Sequence, residues 1–205
     1  MKEITIDTET GGLDPLKHAL LQIGGYDPTT NSRFSVYIQK PHNLEVTPGA
    51  QKVNGWPQSH AGKTTLPELE AIQLFLGWVK MTHAERLVAH NAPFDASFLK
   101  VSLSRNNVDP STLPRFGCTQ EQATQLNKIG GLPVTSLSLD SILKDLAPDY
   151  QRPPIHDASD DAYACYLARK AMDERFDKFA ALANNAVMSS GPFSQTQRRG
   201  SRWGR

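Results

Sequence analysis

Apolar and polar residues alternate along the first forty residues in three separate runs. The runs are KEITIDTET, ALLQIGGYD and RFSVYIQK, and the turn-rich segments GGLDP and PTTNS separate them. Alternation of this kind is typical of β-strands that bury one face. Because the connections are short and rich in turn-forming residues, the pattern predicts a three-stranded antiparallel meander.

Beyond residue 65, the apolar spacing becomes that of helices with short strands between them. Leu69, Ile72, Leu76 and Val79 predict a helix over residues 66–81. RLVAH and RFGCT predict two short strands on either side of a helix, and TPGAQKVNGW predicts one short helical turn. Two more helices and the loop YQRPPIH precede a long final helix, whole or in two parts. This order favours an α/β fold with helices around a central mixed five-stranded sheet.

The composition is that of a soluble globular protein, with 39% hydrophobic and 21% charged residues among 205. Cys118 and Cys165 lack CxxC spacing, which argues against a disulfide framework or a zinc site. There is no apolar run near the ~20 residues that span a bilayer, and no apolar leader at the start. These features predict a cytoplasmic protein.

The net charge of +1 conceals an acidic body and a basic end. The last 17 residues contain four arginines and no acid, and without them 18 basic residues remain against 21 acidic ones. We predict a folded domain over residues 1–180 and a flexible basic tail over residues 181–205. The tail is either a solubilising end or an arm that contacts a partner or nucleic acid.

Two acids lie at the end of the first predicted strand. Asp7 and Glu9 share one face of the strand, because they are two residues apart, with Cα atoms roughly 6–7 Å from each other. Carboxylates this close repel, so one must be protonated or a cation must lie between them. A polar turn in DTETGG is the alternative interpretation.

Two further acids lie at the beginnings of predicted helices. Asp95 is in the first turn of the helix after RLVAHN, where the helix dipole alone also favours an acid. In HDASDDA, Asp161 heads the apolar stripe of the final helix, where a carboxylate must be paired or bind a metal. Asp157, as a helix N-cap or a loop acid, and Asp160 lie off this stripe and are predicted to be solvated.

Four carboxylates without a cluster of cysteines or histidines favour Mg²⁺ or Mn²⁺ over zinc. Two such ions can stabilise the attacking and the leaving oxygen of a phosphoryl displacement. His156 stands beside these acids, and the ordinary pKa of histidine, about 6.5, suits a general base near neutral pH.

Three segments, DTETGGLD, HNAPFDASFL and HDASDDA, resemble the exonuclease motifs of the DnaQ-like, or DEDDh, 3′–5′ exonucleases. The motifs occur in the family's order and span most of the folded body. The resemblance, which extends to the proofreading subunits and domains of DNA polymerases, implies an RNase H-like fold. It also implies a hydrolase that uses two ions, Mg²⁺ or Mn²⁺, to release nucleoside 5′-monophosphates from 3′ ends.

The resemblance assigns a role to each charged residue of the motifs. Asp7 would contact both ions, and Glu9 and Asp161 would complete the site of the ion that activates water. Asp95 would support the second ion, and His156 would be the general base. A sister subfamily has a tyrosine four residues before the last aspartate, and the absence of tyrosine at that position here fits the histidine subfamily.

Substrate contacts are expected near the first two motifs. The backbone at Thr10, Gly11 and Leu13 would touch the terminal nucleotide, although Gly11 replaces the second threonine of the family's DTETTG. Trp56 would either stack on a base or pack over the sheet edge. Two polar residues of a strand-to-helix turn complete the candidates: His90 and Asn91.

DNA is the expected substrate, and the expected partners are nucleic acid 3′ ends and a DNA polymerase or another protein of DNA replication or repair. The motifs equally suit an exonuclease of RNA or oligoribonucleotides, similar to ribonuclease T or oligoribonuclease, because ions bind phosphates while sugar contacts lie elsewhere. A non-catalytic module that associates with a polymerase is the third hypothesis. The five intact catalytic positions argue against that third hypothesis.

Overall fold

A mixed sheet of six strands forms the centre of the protein. The computed structural model describes residues 1–132 and 134–189, and residues 183–189 by their backbone alone. The strands are β1 (Glu3–Thr10), β2 (Leu20–Asp27), β3 (Ser32–Ile38), β4 (Thr65–Leu66), β5 (Arg86–Ala89) and β6 (Arg115–Cys118). Their order is β4-β3-β2-β1-β5-β6. β1, β2 and β3 pair antiparallel, as predicted, whereas β5 is parallel to β1 and β6 is parallel to β5.

The sheet has one strand more than the five that we predicted. The additional strand is β4, whose two residues pair in parallel with Tyr37 and Ile38 at the end of β3. Two residues are too few to produce an alternating pattern, and the prediction had assigned Leu66 to the next helix. That helix begins only after Pro67, which terminates the pairing.

Helices cover both faces of this sheet. Within the described residues they are α1 (Pro48–Asn54), α2 (Glu68–Thr82), α3 (Ala92–Arg105), α4 (Thr119–Lys128), α5 (Leu139–Leu146) and α6 (Ala158–Ser189). α6 is a single helix that continues through the predicted boundary at residue 180, and residues 190–205 of the predicted tail lie outside the described residues. None of these six helices combines the length and the apolar character that crossing a membrane requires.

Two adjacent glycines of β2 allow helices to approach both faces closely. A Cβ on Gly24 would lie 2.0 Å from the carbonyl carbon of Ala158, and one on Gly25 would lie 2.4 Å from the Trp78 ring. Because neighbouring residues of a strand point to opposite faces, α6 and α2 are on opposite sides of the sheet. The first turn of α6 therefore rests directly on the backbone of β2, next to β1.

Candidate active site

Asp7 and Glu9 extend from β1 toward the first turn of α6. Asp7 is opposite Gly24 in the sheet, and the missing side chain of Gly24 is what lets α6 lie so close. Asp161 consequently reaches the end of β1, and one ligand atom each from Glu9, His156 and Asp161 lie within 4.8 Å of one another. Glu9 and Asp161 are 6% and 2% exposed, respectively.

Asp95 reaches the same place from the first turn of α3. Thr8, between the two acids of β1, donates a 2.8 Å hydrogen bond from Oγ1 to Oδ1 of Asp95, and both side chains are buried. All four predicted carboxylates and His156 line one cavity of about 430 Å³. The structure thus brings together the five residues that the motifs predicted.

Three of these carboxyl groups, those of Asp7, Glu9 and Asp95, resist ionisation. Burial raises the pKa of Asp7 well above its usual range, and repulsion from the neighbouring acids adds to the shift. Burial, with repulsion from Asp161, raises the pKa of Glu9 to about 8. Burial also raises the pKa of Asp95 to about 7, although the hydrogen bond from Thr8 opposes the shift.

One oxygen of Glu9 indicates what the cluster can bind. Oε1 is buried and has no hydrogen-bond partner within the described part of the chain. A buried, unpaired carboxylate oxygen is costly unless a donor or a cation reaches it. Carboxylate oxygens are the ligands that Mg²⁺ and Mn²⁺ prefer. The donor set of the cavity therefore fits divalent cations.

His156 lies in the loop that precedes α6. Its backbone N–H donates a 3.1 Å hydrogen bond to the carbonyl of Val53, which ties the loop to the end of α1. Its ring Nδ1 is 3.3 Å from Oδ2 of Asp161. Burial lowers the pKa of His156 below its ordinary value, while Asp161 opposes the shift and Arg152 adds to it.

Arg152 is a residue of this site that the sequence analysis missed. It lies in the loop between α5 and α6, and its guanidinium contacts Asp161, His156 and Asp140. Burial alone would lower the pKa of Arg152, but its bonds to Asp161 and Asp140 raise it above its ordinary value. The sequence contains one clue to this role: Arg152 is the sole lysine or arginine between residues 145 and 168, the stretch that includes His156 and Asp161.

The predicted solvation of Asp157 is wrong, although the residue does cap α6. Oδ1 accepts a 2.9 Å hydrogen bond from the backbone N–H of Ser159. Oδ2 accepts bonds of 2.9 Å from Gln22 and 2.7 Å from Tyr37, which extend from β2 and β3. Burial alone would raise the pKa of Asp157, yet these hydrogen bonds lower it. Asp157 therefore fastens the start of α6 to the sheet.

Three of the predicted substrate contacts line the cavity: Thr10, Leu13 and His90. Leu13 is 85% exposed and is therefore accessible to a ligand. The ring nitrogens of His90 are 3.0 Å from Oγ1 of Thr119 and 2.9 Å from the carbonyl of Leu137. Since both nitrogens already have protein partners, His90 links the start of α4 to the segment before α5.

The other three candidates are absent from the described residues that line the cavity. A Cβ on Gly11 would lie 2.2 Å from the carbonyl oxygen of Glu45, so Gly11 is needed for backbone packing. Trp56 packs against a small apolar cluster that includes Leu21 of β2. Asn91 is exposed and adopts a left-handed conformation, with φ of 61°, just before α3.

α1 contributes a wall of the cavity that the sequence did not indicate. Its cap Thr47 and its buried Asn54 both line the cavity, and Nδ2 of Asn54 donates a 3.0 Å hydrogen bond to the carbonyl of Thr10. Phe94 of α3 completes the wall. Thr47 followed by Pro48 is a local sequence signal for the start of a helix. The neighbouring residues, however, do not indicate that this helix lies against the cavity.

Known proteins are similar to this chain in sequence. Residues 4–168 match the model of the family described as RNase_T, Exonuclease. DNA polymerase III subunit epsilon of Pasteurella multocida (strain Pm70) is 27% identical, over 97% of this chain and 82% of that protein. Ribonuclease T of Haemophilus influenzae (strain PittEE) is 30% identical, over 56% of each protein.

Solved structures of exonuclease I confirm the predicted RNase H-like fold. Exonuclease I of E. coli in complex with a dT13 oligonucleotide aligns with a TM-score of 0.70, at 19% identity over 88% of this chain. A product-bound exonuclease I aligns with a TM-score of 0.71, at 18% identity over 91%. The chain spans only 42% and 48% of those two proteins. The family match shows that this chain belongs to the exonuclease family, among the DnaQ-like 3′–5′ exonucleases that its three motifs resemble.

Proposed function

We propose that this exonuclease removes nucleoside 5′-monophosphates from the 3′ ends of DNA by metal-dependent hydrolysis. The observation that carries the proposal is the convergence of four carboxylates and one histidine on a single cavity. A phosphodiester would bring further negative charge to a cluster of carboxylates that already repel one another. Cations must therefore accompany it. Similarity to a polymerase subunit over nearly the whole chain supports DNA as the substrate.

Two divalent ions, Mg²⁺ or Mn²⁺, fit this chemistry. Asp7 would contact both ions, with Glu9 and Asp161 at one of them and Asp95 at the other. When bound, such ions neutralise charge that develops on the phosphate and favour the ionisation of water. The chain contributes oxygen ligands that β1, α3 and α6 hold in fixed positions, which limits the reorganisation that the reaction requires.

His156 is the proposed acceptor of the proton from the attacking water. Its lowered pKa keeps the imidazole neutral near pH 7, the form that can accept a proton. His156→Ala should lower kcat by about 10²–10⁴-fold and leave nucleic-acid affinity nearly unchanged. Turnover at the wild-type rate near neutral pH would contradict this role.

The decisive experiment is the digestion of matched linear substrates in Mg²⁺: single-stranded DNA, duplex DNA with a 3′ mismatch, and RNA. Linear DNA should shorten from its 3′ end, and Asp161→Asn, which removes charge but keeps the side chain's shape, should be inactive. Excess chelator should stop the reaction, and circular DNA should survive. Cleavage of circular DNA, or full activity in chelator, would refute the proposal.

A second candidate substrate is RNA, which the similarity to a ribonuclease T favours. Faster shortening of RNA than of DNA with the same 3′ sequence would select it. Similarity to subunit epsilon supports a partnership with a DNA polymerase. The role that we propose for this partnership is proofreading, in the cytoplasm. Preference for a mismatched over a paired 3′ end, and co-elution with a replicative polymerase, are the expected results. Failure to degrade any substrate would favour the non-catalytic module.

A further inference from the structure

Arg152 engages both oxygens of Asp161. Nε donates to Oδ1 at 2.5 Å, and Nη2 donates to Oδ2. The side chains of Arg152 and Asp161 are 14% and 2% exposed, so the contact is buried. A two-pronged bond between a guanidinium and a carboxylate is the strong form of this interaction. Both oxygens that Asp161 could offer to a divalent ion are therefore already bound by a side chain of the protein itself.

The same guanidinium holds His156. Nη2 of Arg152 is 3.0 Å from Nδ1 of His156. A guanidinium has only donors, so Nδ1 must be the acceptor, and the proton of the neutral ring must then be on Nε2. In this arrangement His156 lacks a free basic nitrogen, because Nδ1 is bonded and Nε2 carries the proton.

Arg152 also contacts a third side chain, that of Asp140, at the surface. Its Nη1 is 3.1 Å from Oδ1 of Asp140, whose side chain is 64% exposed. Arg152 is also outside the helices, in the loop of residues 147–157. The guanidinium can thus release Asp161 and His156 and still keep a carboxylate partner at the surface.

We propose that Arg152 is an internal competitor for the divalent ion at Asp161. Ion binding and the guanidinium contact are mutually exclusive at this carboxylate, and the exchange also frees Nδ1 of His156. The protein is then held inactive by its own arginine until the ion binds. This inference rests on the proposed ion site, but not on the substrate or on turnover.

The test is the affinity for Mn²⁺ without nucleic acid, measured by titration calorimetry for the wild type, Arg152→Gln and Arg152→Lys. Arg152→Gln should bind at least one ion about tenfold more tightly, which corresponds to about 1.4 kcal/mol. Arg152→Lys keeps the positive charge but lacks the two-pronged geometry. If competition for the oxygens is the cause, Arg152→Lys should approach the affinity of Arg152→Gln.

A matched control is available at the ion pair of Asp160, the residue just before Asp161 on α6. Asp160, which was predicted to be solvated, is 33% exposed and forms an ion pair with Arg33. Arg33→Gln removes an equal charge, which lies on β3 and pairs with the same helical turn outside the cavity, so its Mn²⁺ affinity should equal that of the wild type. In chelator, Arg152→Gln should also melt at a lower temperature than the wild type, and Mn²⁺ should remove the difference.

The outcomes are distinguishable. Equal Mn²⁺ affinity in the wild type and Arg152→Gln overturns the competition, whereas metal-dependent DNA hydrolysis could still succeed. Tightening in Arg152→Gln with wild-type affinity in Arg152→Lys also overturns it, because charge alone would then explain the effect. If no variant binds Mn²⁺, both this inference and the metal-dependent function fail. Nitrogen NMR of His156 should show its ring proton on Nε2 in chelator and a change on saturation with Mg²⁺.

Discussion

Replacing Glu9 with glutamine should make the folded protein less sensitive to rising pH. Burial and repulsion from Asp161 raise the pKa of Glu9 from its ordinary 4.5 to about 8. A carboxyl group with a raised pKa holds its proton more tightly in the folded than in the unfolded chain. Its contribution to stability is therefore complete below pH 4.5 and is lost as the pH rises through about 8.

The size of this loss follows from the shift. A change from 4.5 to about 8 is about 3.5 pKa units, which at about 1.4 kcal/mol per unit is about 5 kcal/mol when Glu9 is fully ionised. Because ionisation is incomplete at the ends of the range, the loss between pH 5 and pH 8 is about 3.5 kcal/mol. Glutamine has the same shape without the charge, so Glu9→Gln lacks this loss. The pKa values of Asp7 and Asp95 are also raised, so the free energy of unfolding of Glu9→Gln should still fall with pH, but less steeply.

Urea denaturation in EDTA, at constant ionic strength between pH 5 and pH 8.5, measures the effect. The free energy of unfolding should fall with pH more steeply in the wild type than in Glu9→Gln. Glu174→Gln is the control, because it removes an exposed acid from α6 and should follow the wild-type slope. Equal slopes in the wild type and Glu9→Gln would refute the reasoning, since Glu9 would then ionise as readily in the folded protein as in the unfolded chain.

Three further predictions concern the supports of the site. Gly24→Ala should destabilise the protein by about 3 kcal/mol or more, because the new Cβ would collide with the backbone of α6. Gly77→Ala is the comparison in thermal melts: it lies in open space on α2 and should stabilise the protein by about 1 kcal/mol. Tyr37→Phe removes a hydrogen bond to the half-buried carboxylate of Asp157 and should lower the free energy of unfolding in urea by about 1.5 kcal/mol. Thr8→Val removes the bond that opposes the raised pKa of Asp95, so the acidic limb of the pH–rate profile should move to higher pH. An unmoved acidic limb would show that Asp95 does not control it.

The sequence predicted those parts of the site that belong to periodic elements. The alternation in β1 placed Asp7 and Glu9 on one face, and the helical phase of α6 selected Asp161 as the buried acid. Both patterns are local, because each depends on residues within one strand or one helix. The structure confirms the antiparallel meander and the buried position of Asp161.

The parts that were missed depend on contacts between distant segments. Asp157 is fastened by Gln22, which is 135 residues away, and no local pattern reveals such a partner. Arg152 lies in an aperiodic loop, where helical or strand phase cannot indicate direction. α1 is a predictable short helix, but its position against the cavity depends on a bond between Asn54 and the end of β1.

The contacts of β1 with segments that follow much later in the chain have a consequence for the synthesis of the protein on the ribosome. β1 pairs in parallel with β5, and the site is completed by α6 near the other end of the described chain. At a typical rate of synthesis, the ribosome needs on the order of 10 s to progress from β1 to α6. During that interval the first two acids exist without Asp161 or His156. A nascent chain, or one whose translation stops within α5, therefore cannot assemble the proposed site, and nuclease activity would begin only after α6 has been made.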